Sequence, residues 1–166
     1  MVPDGAPLLE QNSLDTFDRR ILSILQTEPE ITVGALAERI GLSQTPCWRR
    51  LKALEADGYI ARRAVILDAR KLGFPVDVFA HVRLSHHDGD TLDRFEEAVR
   101  DHPQVVACFS MSGESDYLMR ILCRSIDDYD HFLKRTLLHM PGVASVNSSF
   151  SLKTVKHTTD LPVDPA

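Results

Sequence analysis

TVGALAERIGLSQTPCWRRLKALEADG, residues 32–58, is the stretch whose reading decides the fold of this chain. Apolar Ala35, Leu36 and Ile40 recur at helical spacing before the break Gly41-Leu42-Ser43, and Cys47, Leu51 and Leu54 do so after it. Two amphipathic helices meeting at a short glycine-containing turn, with Thr32 and Ser43 as their start signals, form a helix-turn-helix pattern. Around the second helix Gln44, Thr45, Trp48, Arg49 and Lys52 fall on one side, opposite Cys47, Leu51 and Leu54. The outer side therefore offers hydrogen bonds and positive charge. Pro46 falls in the first turn, where a backbone N–H has no intrahelical partner to lose.

Upstream, Phe17, Ile21, Leu22 and Leu25 predict a helix over about Asp15 to Gln26, ending before Pro29. Its stripe packs across the two helices above, and three helices are the minimum that buries the inner side of such a motif. Residues 1–13, rich in Pro, Gly and polar groups, read as a disordered tail. Downstream of Gly58, Val65, Ile66 and Leu67 predict a short strand, and Gly73 and Pro75 mark a boundary, so residues 61–75 read as wing and linker. Arg62 and Arg63 at its start face either flanking phosphates or solvent.

The net charge of −5 is unfavourable for a nucleic-acid partner only if it is evenly spread. It is not. Residues 14–71 carry 10 basic and 8 acidic side chains, whereas residues 72–166 carry 9 and 14. Between Gln44 and Arg63, Arg49, Arg50, Lys52, Arg62 and Arg63 stand against Glu55 and Asp57 alone. A local basic patch attracts phosphates while the acidic remainder limits indiscriminate binding. Hydrophobic residues make up 43% of the 166, enough for globular cores, and no apolar run approaches the roughly 20 residues a membrane span needs. The start MVPDGAPLLEQNS has none of the regions of a signal peptide, so the expected compartment is the cytoplasm. Cys47, Cys108 and Cys123 lie far apart in apolar patterns with no CxxC pair, which reads as buried thiols rather than a redox or metal site.

The second half contains an internal echo. LDRFEEAVRDHPQVVACFSM is an amphipathic helix followed by Pro-x-Val and a strand, and YDHFLKRTLLHMPGVASVNSS repeats the plan. The interval from Phe95 to Pro103 is one residue shorter than that from Phe132 to Pro141. DVFAHVRL precedes the first half and DYLMRILC the second, giving β-α-β-β-α-β, a ferredoxin-like four-stranded antiparallel sheet with both helices on one face. Phe79, Phe109, Met119 and Phe150 offer more apolar surface than two helices cover, which predicts burial of the other face against a second copy. The expected organisation is α+β: tail 1–13, helix-turn-helix 14–60, wing and linker 61–75, ferredoxin-like domain 76–157, tail 158–166.

With these elements in order, the motifs LD-x-x-D-R-R-I-L at Leu14–Leu22, L-A-x-x-I-G-L-S at Leu36–Ser43, T-P-C-W-R-R at Thr45–Arg50 and S-G-E-S-D-Y at Ser112–Tyr117 resemble the Lrp/AsnC family of bacterial transcription regulators. The likeness runs from Leu14 to about Pro162, and T-P-C-W, D-Y-L-M-R and the ending S-S-F-S-L-K-T-V-K-H-T-T-D-L-P are most similar to a cysteine-responsive branch. The resemblance implies that the N-terminal domain binds double-stranded DNA. It implies also that the C-terminal domain dimerises, assembles into tetramers or octamers, and senses an amino acid or related metabolite. On this sequence the DNA-contacting set becomes Ser43, Gln44, Thr45, Trp48, Arg49, Arg50 and Lys52. Gln suits adenine edges and Arg suits guanine edges or phosphate. Trp48 reads equally as a residue packing at the domain surface, and Arg50, to one side, as a structural ion-pair partner.

The family's effector pocket uses the loop after the second sheet strand, here Met111, Ser112, Gly113, Glu114, Ser115, Asp116 and Tyr117, with Ser148 on the last strand as a further candidate. A free amino acid needs N–H or hydroxyl donors for its carboxylate and a carboxylate for its ammonium. Gly113 permits close backbone approach, and Asp116 or Glu114 takes the ammonium. Alternatively Gly113 and Asp116 only build a turn.

Two readings compete. Proteins similar to this family include tetrapyrrole decarboxylases, and His81, His86 and His87 cluster near the first sheet strand. Adjacent strand residues point to opposite faces, however, so His86 and His87 make a poor ligand pair, and no Ser/His/Asp arrangement, P-loop, HExxH or GxGxxG is present. The expectation is a protein that is not an enzyme and has no metal or cofactor beyond an amino-acid effector. A purely architectural DNA-binding protein that assembles but senses nothing is the other.

Overall fold

The computed structural model of the chain describes residues 14–163, so the expected tail 1–13 lies outside the described residues, as does the end of the expected tail 158–166. The chain divides into two compact units, one running to Val65 and taking back the chain from Lys156, the other Ile66–Val155.

Three helices build the first unit: α1 (Thr16–Thr27), α2 (Val33–Ile40) and α3 (Gln44–Ala56). Asp15 caps α1 in a reciprocal box with Asp18, and the Thr32 hydroxyl accepts the Ala35 N–H at 3.3 Å to start α2. Gly41 ends α2 at φ 75°, a left-handed conformation that turns the chain sharply into α3. Ser43 occupies the N-cap position of α3, yet its side chain makes no capping hydrogen bond. Ile21, Leu36, Ala37, Ile40, Cys47, Leu51 and Leu54 form the core, with Phe17, Leu22 and Leu25 packed against it. Ala35, expected among the apolar positions, is exposed, and Ala37 is buried in its place.

The expected strand at Val65-Ile66-Leu67 is absent: residues 61–68 carry no secondary structure, and these three side chains are 84%, 69% and 67% exposed. A strand needs a hydrogen-bonded neighbour, and among the described residues the one sheet has four strands, none of them offering these residues a ladder. Residues 61–68 therefore run without a strand partner among the described residues. A second correction concerns the C-terminus. The Gln26 side chain donates from Nε2 to the Leu161 carbonyl at 3.1 Å and accepts the Leu161 N–H at Oε1, so the last segment is held on α1 instead of trailing as a tail.

The second unit follows β1 (Val76–Leu84), α4 (Gly89–Arg100), β2 (Val105–Ser110), β3 (Tyr117–Cys123), α5 (Ile126–Arg135) and β4 (Val143–Phe150). Its antiparallel sheet has the order β2-β3-β1-β4, the ferredoxin-like arrangement. A 3-10 turn at Leu137–His139 lies in the longer second repeat. Alternate strand residues Val78, Ala80, Val82 and Leu84 of β1 and Tyr117, Met119, Ile121 and Cys123 of β3 are buried with Phe95, Tyr129 and Phe132 of the helices.

The alternation also corrects which residues face away from the helices. Met119 is fully buried in the helix-covered core, and Phe150 meets the Tyr129 ring edge-on at 5.4 Å. On the open face lie Phe79 and Phe109, with Leu118 and Leu122 of β3. Toward β4 this face turns polar: His81 pairs with Asn147 and Arg83 with Ser145.

Candidate functional site

The outer side of α3 forms as the apolar spacing requires. Cys47, Leu51 and Leu54 are buried, while Gln44, Thr45, Trp48, Arg49 and Lys52 are exposed, as is Ser43 before them. Trp48 is 52% exposed, so its ring lies on the outer side with the polar residues rather than in the core. Gln44 leans on α2 at Gly34, where an added Cβ would stand 3.1 Å from its Nε2. Gly34 thus makes room for a residue of the outer face, a signal not read from the sequence.

The cations divide. Arg50 is not on the outer face: its Nη1 lies 2.7 Å from Asp15 and 2.9 Å from Asp18, and its guanidinium sits 5.4 Å from the Phe17 ring centre. The Asp18 hydrogen bond raises its pKa further, and Asp15, bonded first by the Asp18 N–H and then by Arg50, is held below the usual carboxylate range. Lys52 pairs with Glu55 at 2.7 Å, and Arg63 reaches Glu55 at 3.4 Å and the Pro29 carbonyl at 3.2 Å. Arg49 has no ion-pair partner among the described residues and is free to meet a phosphate or a base edge.

In the second unit the hairpin between β2 and β3 is closed by Met111 N–H donating to the Asp116 carbonyl at 2.8 Å. Gly113 sits at φ 124°, which favours glycine, and Ser112 and Glu114 on either side are exposed, as is Met111. Asp116 does not have a free carboxylate. Its Oδ2 accepts the Leu84 N–H at 2.7 Å, its Oδ1 meets His87 Nε2 at 2.8 Å, and its own N–H donates to the Val82 carbonyl at 2.9 Å. The Leu84 hydrogen bond, then His87 and Arg83, hold its pKa below the usual value. Asp116 therefore clasps the loop to β1, the turn-building role, with each carboxylate oxygen already taking one hydrogen bond.

Two other expected effector residues point elsewhere. Tyr117 is buried, its hydroxyl donating to Glu96 Oε1 on α4 at 3.0 Å, and burial raises its pKa. Ser148, on the helix-covered face opposite Ala80, is hydrogen-bonded to the Tyr129 hydroxyl. What the loop does border is a cleft of about 430 Å³ on the open face, lined by His81, Arg83, Glu114, Ser115, Ser145 and Asn147. His81 Nδ1 lies 3.3 Å from Ser115 Oγ, and Arg83 Nε donates to the Glu114 carbonyl. Of these six only Glu114 was singled out for ammonium binding from the sequence. The period-2 alternation of β1 and β4 placed His81, Arg83, Ser145 and Asn147 on one face, but the pairing of those two strands is a tertiary fact.

The three thiols are free: Cys47 and Cys123 are buried, Cys108 is half-buried, and burial pushes Cys108 and Cys123 up to about 11, which disfavours the reactive thiolate. Among the described residues no group of three or more His, Cys, Asp or Glu side chains is placed to hold a metal ion, and no helix is long and apolar enough to cross a membrane.

Comparison with known proteins follows the same division. Residues 14–61 match the winged helix-turn-helix DNA-binding family and residues 77–161 the Lrp/AsnC ligand binding domain. The chain is 39% identical over 151 residues to the DNA-binding transcriptional activator DecR of Escherichia coli K12, covering 91% of this chain and 99% of that protein. It is 39% identical to the glutamate uptake regulatory protein of Zymomonas mobilis, covering 90% and 91%. Among solved structures, a transcriptional regulator of Neisseria meningitidis in complex with L-Met superposes with a TM-score of 0.87 at 38% identity, covering 92% of this chain and 98% of that one.

Proposed function

The chain belongs to the Lrp/AsnC family of DNA-binding transcription regulators, and from that premise we propose that it is a ligand-responsive regulator acting in the cytoplasm without catalysis of its own. In this reading α3 enters the major groove, and the Ile66–Val155 unit binds both a free amino acid and a second copy of the chain. The observation that carries it is the division of α3 into a buried apolar side and an exposed side bearing Gln44, Thr45, Trp48 and the unpaired Arg49. Such a face offers hydrogen bonds and a positive charge suited to base edges and phosphates.

The effector class is supported by the exposed, glycine-bent loop 111–115 beside a polar cleft and by the L-Met complex of the Neisseria relative. Dimerisation is supported by Phe79, Phe109, Leu118 and Leu122 on the helix-free side of the sheet. A single recognition helix binds weakly, and copies held at fixed spacing read repeated half-sites together.

The test is selection of bound fragments from genomic DNA, followed by a salt titration of the selected duplex, sedimentation of the free protein, and thermal-shift measurements against the twenty amino acids. The reading expects a selected sequence, affinity falling steeply with salt, a species of at least dimer mass, and stabilisation that grows with one or a few amino acids. Selected DNA with no amino-acid shift would leave an architectural protein; no selected DNA would overturn the reading.

A further inference from the structure

Gly34 is the second residue of α2, and neither its backbone conformation nor core packing calls for glycine there. It lies outside the left-handed region that Gly41 and Gly58 occupy, and it neither starts nor ends the helix. Glycine is the least favourable helix former after proline, so alanine at this position would strengthen α2. What an added Cβ would meet is the Gln44 side chain, at 3.1 Å from Nε2 and 3.7 Å from Cδ. The next atom, Thr32 Oγ1, lies at 4.0 Å, an ordinary contact.

Gln44 is the first residue of α3 and is exposed, and its amide makes no hydrogen bond among the described residues. The contact with Gly34 therefore occupies the surface of the amide and none of its donors or acceptors. Those groups match the N6 and N7 edge of adenine, and the first residues of a recognition helix are the ones that reach base edges. Ordering a long side chain costs conformational entropy. One that already rests on the backbone of α2 has lost part of that freedom before DNA arrives.

We propose that Gly34 and Gln44 act as a pair that sets base preference: Gly34 leaves the space that keeps the Gln44 amide against α2, and the amide reads one adenine edge in the major groove. The inference rests on the DNA-reading role of α3 given above and adds to it a residue of α2 that touches no base. Gly34 is a positioning residue, weakening its own helix and sharpening the reading done by the next one.

A double-mutant cycle on the duplex selected by the unaltered full chain tests it, with each base pair substituted in turn and affinity read by fluorescence anisotropy. Expected is one A·T pair whose replacement by G·C weakens the unaltered chain about tenfold, as for a bidentate base contact, and which Gln44→Ala no longer distinguishes. Gly34→Ala should melt at the same temperature or higher and keep the salt slope. It should reduce discrimination at that pair about threefold, as for one side chain's lost pre-organisation, and in the Gln44→Ala background it should change no base preference. Discrimination left intact by Gly34→Ala, or altered by it equally in the Gln44→Ala background, would overturn the pairing. So would a loss of affinity spread evenly over all base pairs, which would assign Gln44 to the phosphates. A lower melting temperature for Gly34→Ala would give Gly34 a role in the fold and overturn its assignment as a positioning residue. If the unaltered chain selects no sequence, the DNA-reading role itself fails, and this inference with it.

Discussion

Arg50 Nη1 lies 2.7 Å from Asp15 Oδ2, so a cation of the recognition helix is pinned to the cap of α1 and not presented to DNA. Arg49, one residue earlier, is turned about 100° around the same helix and meets solvent. Adjacent arginines thus do different work, one fixing the angle of α3 within the bundle and the other facing outward.

Arg50→Ala removes contacts to Asp15, Asp18 and the Phe17 ring at once. The group is about a third exposed, so the loss should be modest, on the order of 1 kcal/mol for a small network, read as a lower urea midpoint for the helical unit. The slope of log K for DNA against log salt should stay unchanged, because no phosphate contact is lost.

Arg49→Ala should do the reverse. Thermal stability stays within about 0.5 kcal/mol, as for a surface substitution, while DNA affinity falls and the salt slope drops by roughly one per binding copy. Fluorescence anisotropy on one duplex across a salt series distinguishes the two arginines.

Asp116→Asn tests the loop clasp through pH. The folded pKa of Asp116 is lowered, so its stabilisation is fully present above the unfolded value of about 3.9 and is lost as pH falls through the lower folded value. Exchange protection of the Leu84 amide should decline in acid below about pH 4 in the unaltered protein and lose that pH dependence in the variant, whose amide oxygen can still accept the Leu84 N–H but does not titrate.

Gly142→Ala combines two faults. The residue has φ 74°, and an added Cβ would overlap Thr91 Cγ2 on α4, while its carbonyl accepts the Ser85 N–H at 2.7 Å. Strain and overlap together should cost roughly 1–3 kcal/mol, measured as a lower denaturation midpoint of the sheet unit with α3 unaffected.

Gln26→Ala leaves the Leu161 main chain without its two partners on α1. Each exposed bond is worth about 0.5–1.5 kcal/mol, and the sharper readout is faster amide exchange at Leu161. Unaltered exchange there would mean that the segment is not held by Gln26.

How much of this was legible follows the range of the interactions. The helix-turn-helix could be read because its signals are local: Thr32 as cap, Gly41 as stop, and Cys47, Leu51 and Leu54 at helical spacing. The β-α-β-β-α-β order was equally open, since period 2 and period 3.6 alternate visibly from Val76 to Phe150. Val65-Ile66-Leu67 misled because β-branched composition states a preference, while a strand exists only where a neighbour supplies its hydrogen bonds.

The sequence by itself determined the helices, the four strands of the sheet and which side of α3 is polar, because these depend on residues a few positions apart, though it also suggested a strand at Val65-Ile66-Leu67 that does not form. Only the tertiary structure decided that Arg50 turns inward to Asp15 and Asp18, that Asp116 is consumed by Leu84 and His87, and that Arg83, Glu114 and Asn147 share one cleft. Each of these joins groups at least 29 residues apart in the chain, and the direction of a side chain toward such a partner is set by strand pairing and helix packing, which local spacing does not encode.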